Sequence, residues 1–216
     1  AGNATYVDAT GTMQTASANV PRQNHHIYNG TAWVNAGLLV EPESATNLLT
    51  YSEDFTNARW GTSNTATLAI DAAGPYGGTS AVTLVDNNAG GSSFVRIVSA
   101  GIDVSTSTAY TASIYAKADQ LSYLHIRLLG FTTPNDGGVW FDLATGTVGT
   151  ENTGCVGGIT DVGGGYFRCS VTFTTDATDT AGQVLFYACG ADNALAVDLD
   201  GTSSILIYGA QLEASS

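Results

Sequence analysis

The sequence predicts an all-β fold, a sandwich of two antiparallel sheets with an extended N-terminal arm, and three observations lead there. Short runs of alternating or wholly apolar residues recur along most of the chain without any intervening helical period. Clusters of Gly, Pro, Asn and Asp separate those runs, which is the chemistry that hairpins and loops require. Charged residues make up only 12% of the chain against 44% hydrophobic, so few stretches could supply the polar face of an amphipathic helix.

Taken in order, residues 1–46 are rich in Ala, Asn, Thr and Gly and carry only short apolar pieces, Thr31-Ala32-Trp33-Val34 and Gly37-Leu38-Leu39-Val40. Such a segment has too little apolar surface to fold alone, so an arm lying on the main domain or on a neighbouring subunit is expected. Residues 47–216 form the domain. Eight strands are predicted there: Ser80 to Val85, Phe94 to Val98, Tyr110 to Ala118, Tyr123 to Leu129, Val139 to Leu143, Tyr166 to Phe173, Val184 to Ala188 and Ile205 to Leu212. Their separators include Gly74-Pro75-Tyr76-Gly77-Gly78, Pro134-Asn135-Asp136-Gly137-Gly138 and Gly163-Gly164-Gly165. A single domain of this size buries roughly 70% of its unfolded surface and needs no disulfide staples.

Alternation splits each strand into two faces. Tyr110, Ala112, Ile114 and Ala116 fall on one side of their strand, as do Leu124, Ile126 and Leu128, Val139, Phe141 and Leu143, and Cys169, Val171 and Phe173; these are the expected core. The opposite side gathers Tyr115, Lys117, Tyr123, His125, Arg127, Trp140, Asp142 and Arg168, an unusual set in a chain with six basic residues. Flat rings stack on the C–H face of a pyranose while Arg, His and Asp bond its hydroxyls, so the set reads as a glycan site. Within it Trp140, Tyr115, His125 and Arg127 are expected to meet on one sheet. The same residues could instead decorate a sheet or sit under a loop or a subunit contact, and that reading stays open beside the first.

Other chemistries find little support. A formal charge of −13 repels nucleic acid and anionic membrane surfaces. No apolar run approaches the roughly 20 residues of a membrane helix, and Ala1-Gly2-Asn3-Ala4-Thr5 lacks the basic and apolar regions of a signal peptide. Cys155, Cys169 and Cys189 fit neither a dense disulfide framework nor a CxxC metal pair, and reduced thiols are expected. There is no G-x-S-x-G elbow, H-E-x-x-H, P-loop or dinucleotide fingerprint, and His25-His26 would point apart on an extended chain. Asp198-Leu199-Asp200-Gly201 resembles half of a calcium loop and makes Asp198 and Asp200 weak oxygen-ligand candidates.

Particular words in the sequence carry a resemblance. Val20-Pro21-Arg22, Gly37-Leu38-Leu39-Val40-Glu41-Pro42, Ala45-Thr46-Asn47-Leu48-Leu49 and Tyr51-Ser52-Glu53-Asp54-Phe55, closing on Trp60, resemble a segment of phage tail and virion proteins. Beyond it the chain is similar to the carbohydrate-binding jelly rolls of families four and nine. The residues that carry this are Tyr110 to Lys117, Trp140 to Thr147, Gly165-Tyr166-Phe167-Arg168 and Ile207 to Glu213. The resemblance implies a jelly roll, a non-catalytic module binding host-surface or environmental polysaccharide, and a place in the virion tail or outside the cell. A trimer is expected from the threefold symmetry usual in tail adhesins, with the apolar pieces of the arm at the contacts. It also implies a structural Ca2+, although Thr56 stands where relatives often carry an acid and Gly209-Ala210-Gln211 where they carry an Asp. A purely structural virion or tail-assembly protein and a polysaccharide-degrading tailspike enzyme are the alternatives.

Overall fold

The computed structural model describes residues 5–15, 25–37, 46–63, 66–88 and 94–214. All regular structure among them is β. Two short hairpins come first, β1 (Thr5–Val7) with β2 (Met13–Thr15) and β3 (His25–Tyr28) with β4 (Trp33–Gly37). The sandwich then follows as β5 (Trp60–Thr62), β6 (Ala66–Ala72), β7 (Ala81–Asp86), β8 (Val95–Ser99), β9 (Ile102–Asp103), β10 (Ala109–Ala118), β11 (Tyr123–Leu129), β12 (Gly138–Asp142), β13 (Thr147–Glu151), β14 (Cys155–Gly163), β15 (Tyr166–Thr174), β16 (Ala181–Cys189) and β17 (Ser204–Ala214).

One sheet has six strands in the order β14-β15-β10-β17-β7-β6, and the other runs β13-β12-β11-β16-β8-β5 with β9 beside β16. Every pairing is antiparallel. The eight strands expected from the sequence correspond to β7, β8, β10, β11, β12, β15, β16 and β17. Their orders, β7-β17-β10-β15 in one sheet and β8-β16-β11-β12 in the other, are those of an eight-stranded jelly roll. The further strands β6, β14, β5 and β13 extend the four edges.

The alternation that defined the expected core places those residues between the sheets. Tyr110, Ala112, Ile114, Ala116, Leu124, Ile126, Leu128, Val139, Phe141, Leu143, Cys169, Val171 and Phe173 all belong to one buried cluster. Trp60, at the start of β5, and Phe55, from the segment before it, close one side of the core with their rings 5.0 Å apart. At the opposite margin the sheets approach so closely that a Cβ on Gly157 of β14 would sit 2.8 Å from Val139 and Val148 of the facing sheet. Only glycine fits there.

Residues 25–37 curl back onto the domain: Tyr28 and Trp33 pack on each other with centroids 5.4 Å apart and lie against Gly163. The apolar piece Leu38-Leu39-Val40 lies outside the described residues.

Candidate functional site

The two sheets each turn one face away from the core, and the outward residues divide between them. Tyr115, Lys117 and Arg168 lie on the six-stranded sheet; Tyr123, His125, Arg127, Trp140 and Asp142 lie on the seven-stranded one. The expectation that Trp140, Tyr115, His125 and Arg127 share one site is therefore corrected. Tyr115 is separated from the other three by the whole thickness of the sandwich, because β10 and β11, though consecutive, belong to different sheets.

On the seven-stranded sheet, register brings Arg96, Tyr187, His125 and Trp140 into one row across β8, β16, β11 and β12. The His125 and Trp140 rings stack at 3.6 Å with their planes 4° apart. Parity placed them outside the core, yet His125 is only 2% exposed and Trp140 6%. A second apolar cluster explains this: Trp140, Leu185, Tyr187 and Cys189 are roofed by Phe94, Tyr123 and Leu195. The segment bearing Leu195 is pinned by Asp192, whose carboxylate accepts from Thr150 N at 2.8 Å and Thr150 Oγ1 at 2.9 Å.

Among the described residues neither His125 ring nitrogen nor Trp140 Nε1 has a hydrogen-bond partner. Burial, with a smaller push from the Arg127 charge, lowers the His125 pKa to about 3, so the ring is neutral. Arg127 spends its charge on Asp136 at 3.3 Å, and the Tyr123 hydroxyl donates to Asp142 Oδ2 at 3.2 Å. No flat ring of this row is presented for stacking.

The six-stranded sheet presents a different surface. Thr160, Arg168, Tyr115 and Tyr208 are successive neighbours across β14, β15, β10 and β17. Lys117 pairs with Tyr166 one step along, and Ser113 pairs with both Ser170 and Gln211 one step the other way. A bulge in β17 helps to seat the Tyr115 ring. Gly209 there has φ +61°, and a Cβ on it would lie 3.3 Å from Tyr115 Cδ2.

Tyr76, from the loop before β7, folds over this row. Its ring meets Tyr115 edge-on at 5.4 Å, and its hydroxyl donates to the Tyr115 hydroxyl at 2.8 Å. Tyr208 donates to Glu53 Oε1 at 2.8 Å, and Tyr166 donates to the Ala73 carbonyl at 2.7 Å. Burial pushes the Tyr76 and Tyr208 hydroxyls far up and Tyr166 to about 12, so all three stay protonated donors at physiological pH.

Two cations flank the rings. Arg168 Nη2 donates to Ser113 Oγ at 3.0 Å, and Lys117 Nζ donates to the Gly164 carbonyl at 2.8 Å while lying 5.5 Å from the Tyr166 ring centre. Among the described residues neither has a carboxylate within ion-pair distance. Tyr115, Lys117 and Arg168 are half-buried, accessible enough to touch a ligand and packed enough to hold position.

Tyr76, Tyr208 and Glu53 were not singled out from the sequence. Tyr76 sits in a Gly-Pro cluster that reads as a connection, and nothing local tells that its ring folds back onto a sheet. Tyr208 could have been found, since it lies on the outward side of Ile205 and Ile207.

Asp198 and Asp200 act as turn caps. Asp198 Oδ1 accepts from Ser203 Oγ, and Asp200 Oδ1 accepts from Thr202 N at 2.8 Å and Thr202 Oγ1 at 2.7 Å. Among the described residues no three His, Cys, Asp or Glu side chains converge as a metal cluster.

No family model and no curated protein matches the chain. Among solved structures it is similar to the enzymatically active domain of tailspike protein 4 from bacteriophage CBA120, with 9% identity and TM-score 0.47 over 78% of this chain and 21% of that one. A structure described as "CBM4 structure and function" matches at 14% identity and TM-score 0.40, covering 76% of this chain and 92% of that chain. Another, on carbohydrate-binding modules of the beta-sandwich super family, matches at 13% identity and TM-score 0.43, covering 97% and 85%. The chain thus spans about a fifth of the tailspike chain, and no residue role passes across at such identities.

Proposed function

We propose that this chain is a non-catalytic glycan-binding module of a phage tail or virion protein, and that its glycan lies across the outer face of the six-stranded sheet. One observation carries the reading: Tyr115 and Tyr76 form an aromatic corner beside Arg168, Lys117, Ser113 and Gln211 on a single sheet face. A pyranose needs an aromatic wall for its C–H face and fixed donors and acceptors for its hydroxyls, and this face supplies both. Many of the loop carboxylates cap turns, as Asp142 does for Ala144 and Thr145 and Asp179 for Thr132 and Asp176, which favours binding over hydrolysis. The tail assignment rests on the sequence words of the first 60 residues. Exposed Met13, Ile27 and Val34 on the hairpins support an assembly of several copies, a trimer by the usual symmetry of tails.

The test is a binding screen of the intact protein against soluble and insoluble polysaccharides, repeated with Tyr115→Ala. Binding that weakens about tenfold or more in the variant supports the site. Binding to no polysaccharide, or release of reducing ends from one, overturns the proposal.

A further inference from the structure

Resting on that reading, we infer that the glycan is acidic, with carboxylates or sulfates of its sugar residues met by Arg168 and by Lys117. The inference starts from a charge imbalance. The chain carries 19 acidic residues against six basic ones, so a random basic side chain has acids at hand. Arg127 follows that expectation and pairs with Asp136 at 3.3 Å. Among the described residues Arg59, Arg96, Arg168 and Lys117 have no carboxylate at ion-pair distance; Arg96 instead donates to the Tyr187 hydroxyl at 2.7 Å, whereas Arg168 and Lys117 lie together on the same face of adjacent strands.

Their placement fits an anionic polymer. Arg168 faces Tyr115 across the β10–β15 pair and Lys117 faces Tyr166, so the two cations are diagonal neighbours with the rings of Tyr115 and Tyr166 at the other corners. Diagonal positions on an antiparallel pair are within about 7–8 Å, and because Arg168 leans towards Ser113 and Lys117 towards Gly164, the two heads turn apart and meet anionic groups on neighbouring sugars of one polymer. Arg168 uses one donor direction on Ser113 and Lys117 one on Gly164, which fixes both side chains and leaves further N–H groups unspent. The rings add nothing negative, because burial keeps Tyr76 and Tyr166 in the protonated form. Glu53 is the acid nearest the tyrosines, and its Oε1 is engaged by the Tyr208 hydroxyl.

A neutral sugar would leave the remaining N–H groups of both cations without an anionic partner. An acidic one completes charge-assisted hydrogen bonds on a face already shaped for a ring. The surrounding negative charge of the chain then acts as a filter, since it repels polyanions everywhere except at this diagonal.

The experiment uses matched polymers: polygalacturonate, alginate, hyaluronan and dextran sulfate, each beside its carboxyl-reduced or unsulfated counterpart, titrated into the intact protein and into Arg168→Gln and Lys117→Gln. The expected result is a preference of about tenfold or more for at least one acidic form. That preference should shrink in both variants and as salt is raised. Equal or tighter binding of the neutral counterparts overturns the acidic inference and leaves the glycan reading standing, whereas binding to no member of either set overturns both. An acidic preference that persists undiminished in both variants removes Arg168 and Lys117 from the site and overturns the inference as well.

Discussion

His125 offers the sharpest physical test of the second apolar cluster. Its ring is sandwiched on Trp140 under the roof of Phe94 and Leu195, neither nitrogen is bonded, and its pKa falls from 6.5 to about 3. The unfolded chain binds a proton at this position below pH 6.5 while the folded chain does not until about pH 3. Stability attributable to this group is therefore flat above pH 6.5 and declines as pH falls towards 3, at about 1.4 kcal/mol per pH unit. Between about pH 7.5 and about pH 4.5 only the last two units count, which gives a loss of about 2.7 kcal/mol. His125→Phe keeps a ring on Trp140 and removes the titration. Any packing penalty of the larger ring is the same at both pH values and cancels from the comparison. Urea unfolding at the two pH values should show the wild type losing about 2.7 kcal/mol more than the variant. Two proteins that decline in parallel would mean that His125 is protonated or solvated in the folded state, and the sealed-cluster description would be wrong.

Trp140→Ala should cost about 3–5 kcal/mol in denaturant unfolding, because the ring is packed among Leu185, Tyr187 and Cys189, and should leave glycan affinity intact in protein that still folds. Gly182→Ala should lose about 1–3 kcal/mol, since the new methyl would lie 2.2 Å from the Phe131 ring; an unchanged unfolding midpoint would show that Phe131 yields freely. All three cysteines are buried and unbonded, and burial raises Cys155 to about 11 and Cys189 to about 12 and lifts Cys169 as well. A thiol reagent should label none of them in native protein at neutral pH and all of them in urea, as read by mass spectrometry. Excess EDTA should leave the melting temperature unchanged, because the carboxylates of Asp198 and Asp200 are already spent on Ser203 and Thr202.

How far the sequence carries depends on whether a strand has a core face. The eight inner strands each alternate against a buried layer, so Ile114, Ile126 and Val171 announce themselves by period two. Edge strands do not. β14 reads Cys-Val-Gly-Gly-Ile-Thr-Asp-Val-Gly, where Gly157 is dictated by the approach of Val139 and Val148 from the other sheet, a contact invisible along the chain. Parity located the outward side of Trp140 and His125 correctly but could not reveal that Leu195, far along the chain, would cover them. Assigning residues to a face is local information; assigning faces to sheets needs the crossing between β10 and β11. For that reason three of the eight expected site residues, Tyr115, Lys117 and Arg168, lie together, and the other five lie on the far side.

The roofed cluster gives the two halves of the sandwich different mechanical characters. With apolar packing above and below, β11 and β16 occupy the middle of a three-layer stack, while the outer face of β10 and β15 carries a smaller cluster built on Tyr166, with Tyr76 and Tyr115 only half-buried. Opening the middle layer demands that two cores be breached at once, so its amides should exchange with solvent only through global unfolding. The six-stranded sheet has the lighter outer cover, so its amides should exchange earlier than those of β11 and β16. The tyrosine-bearing face is thereby mounted on a backing that opens last.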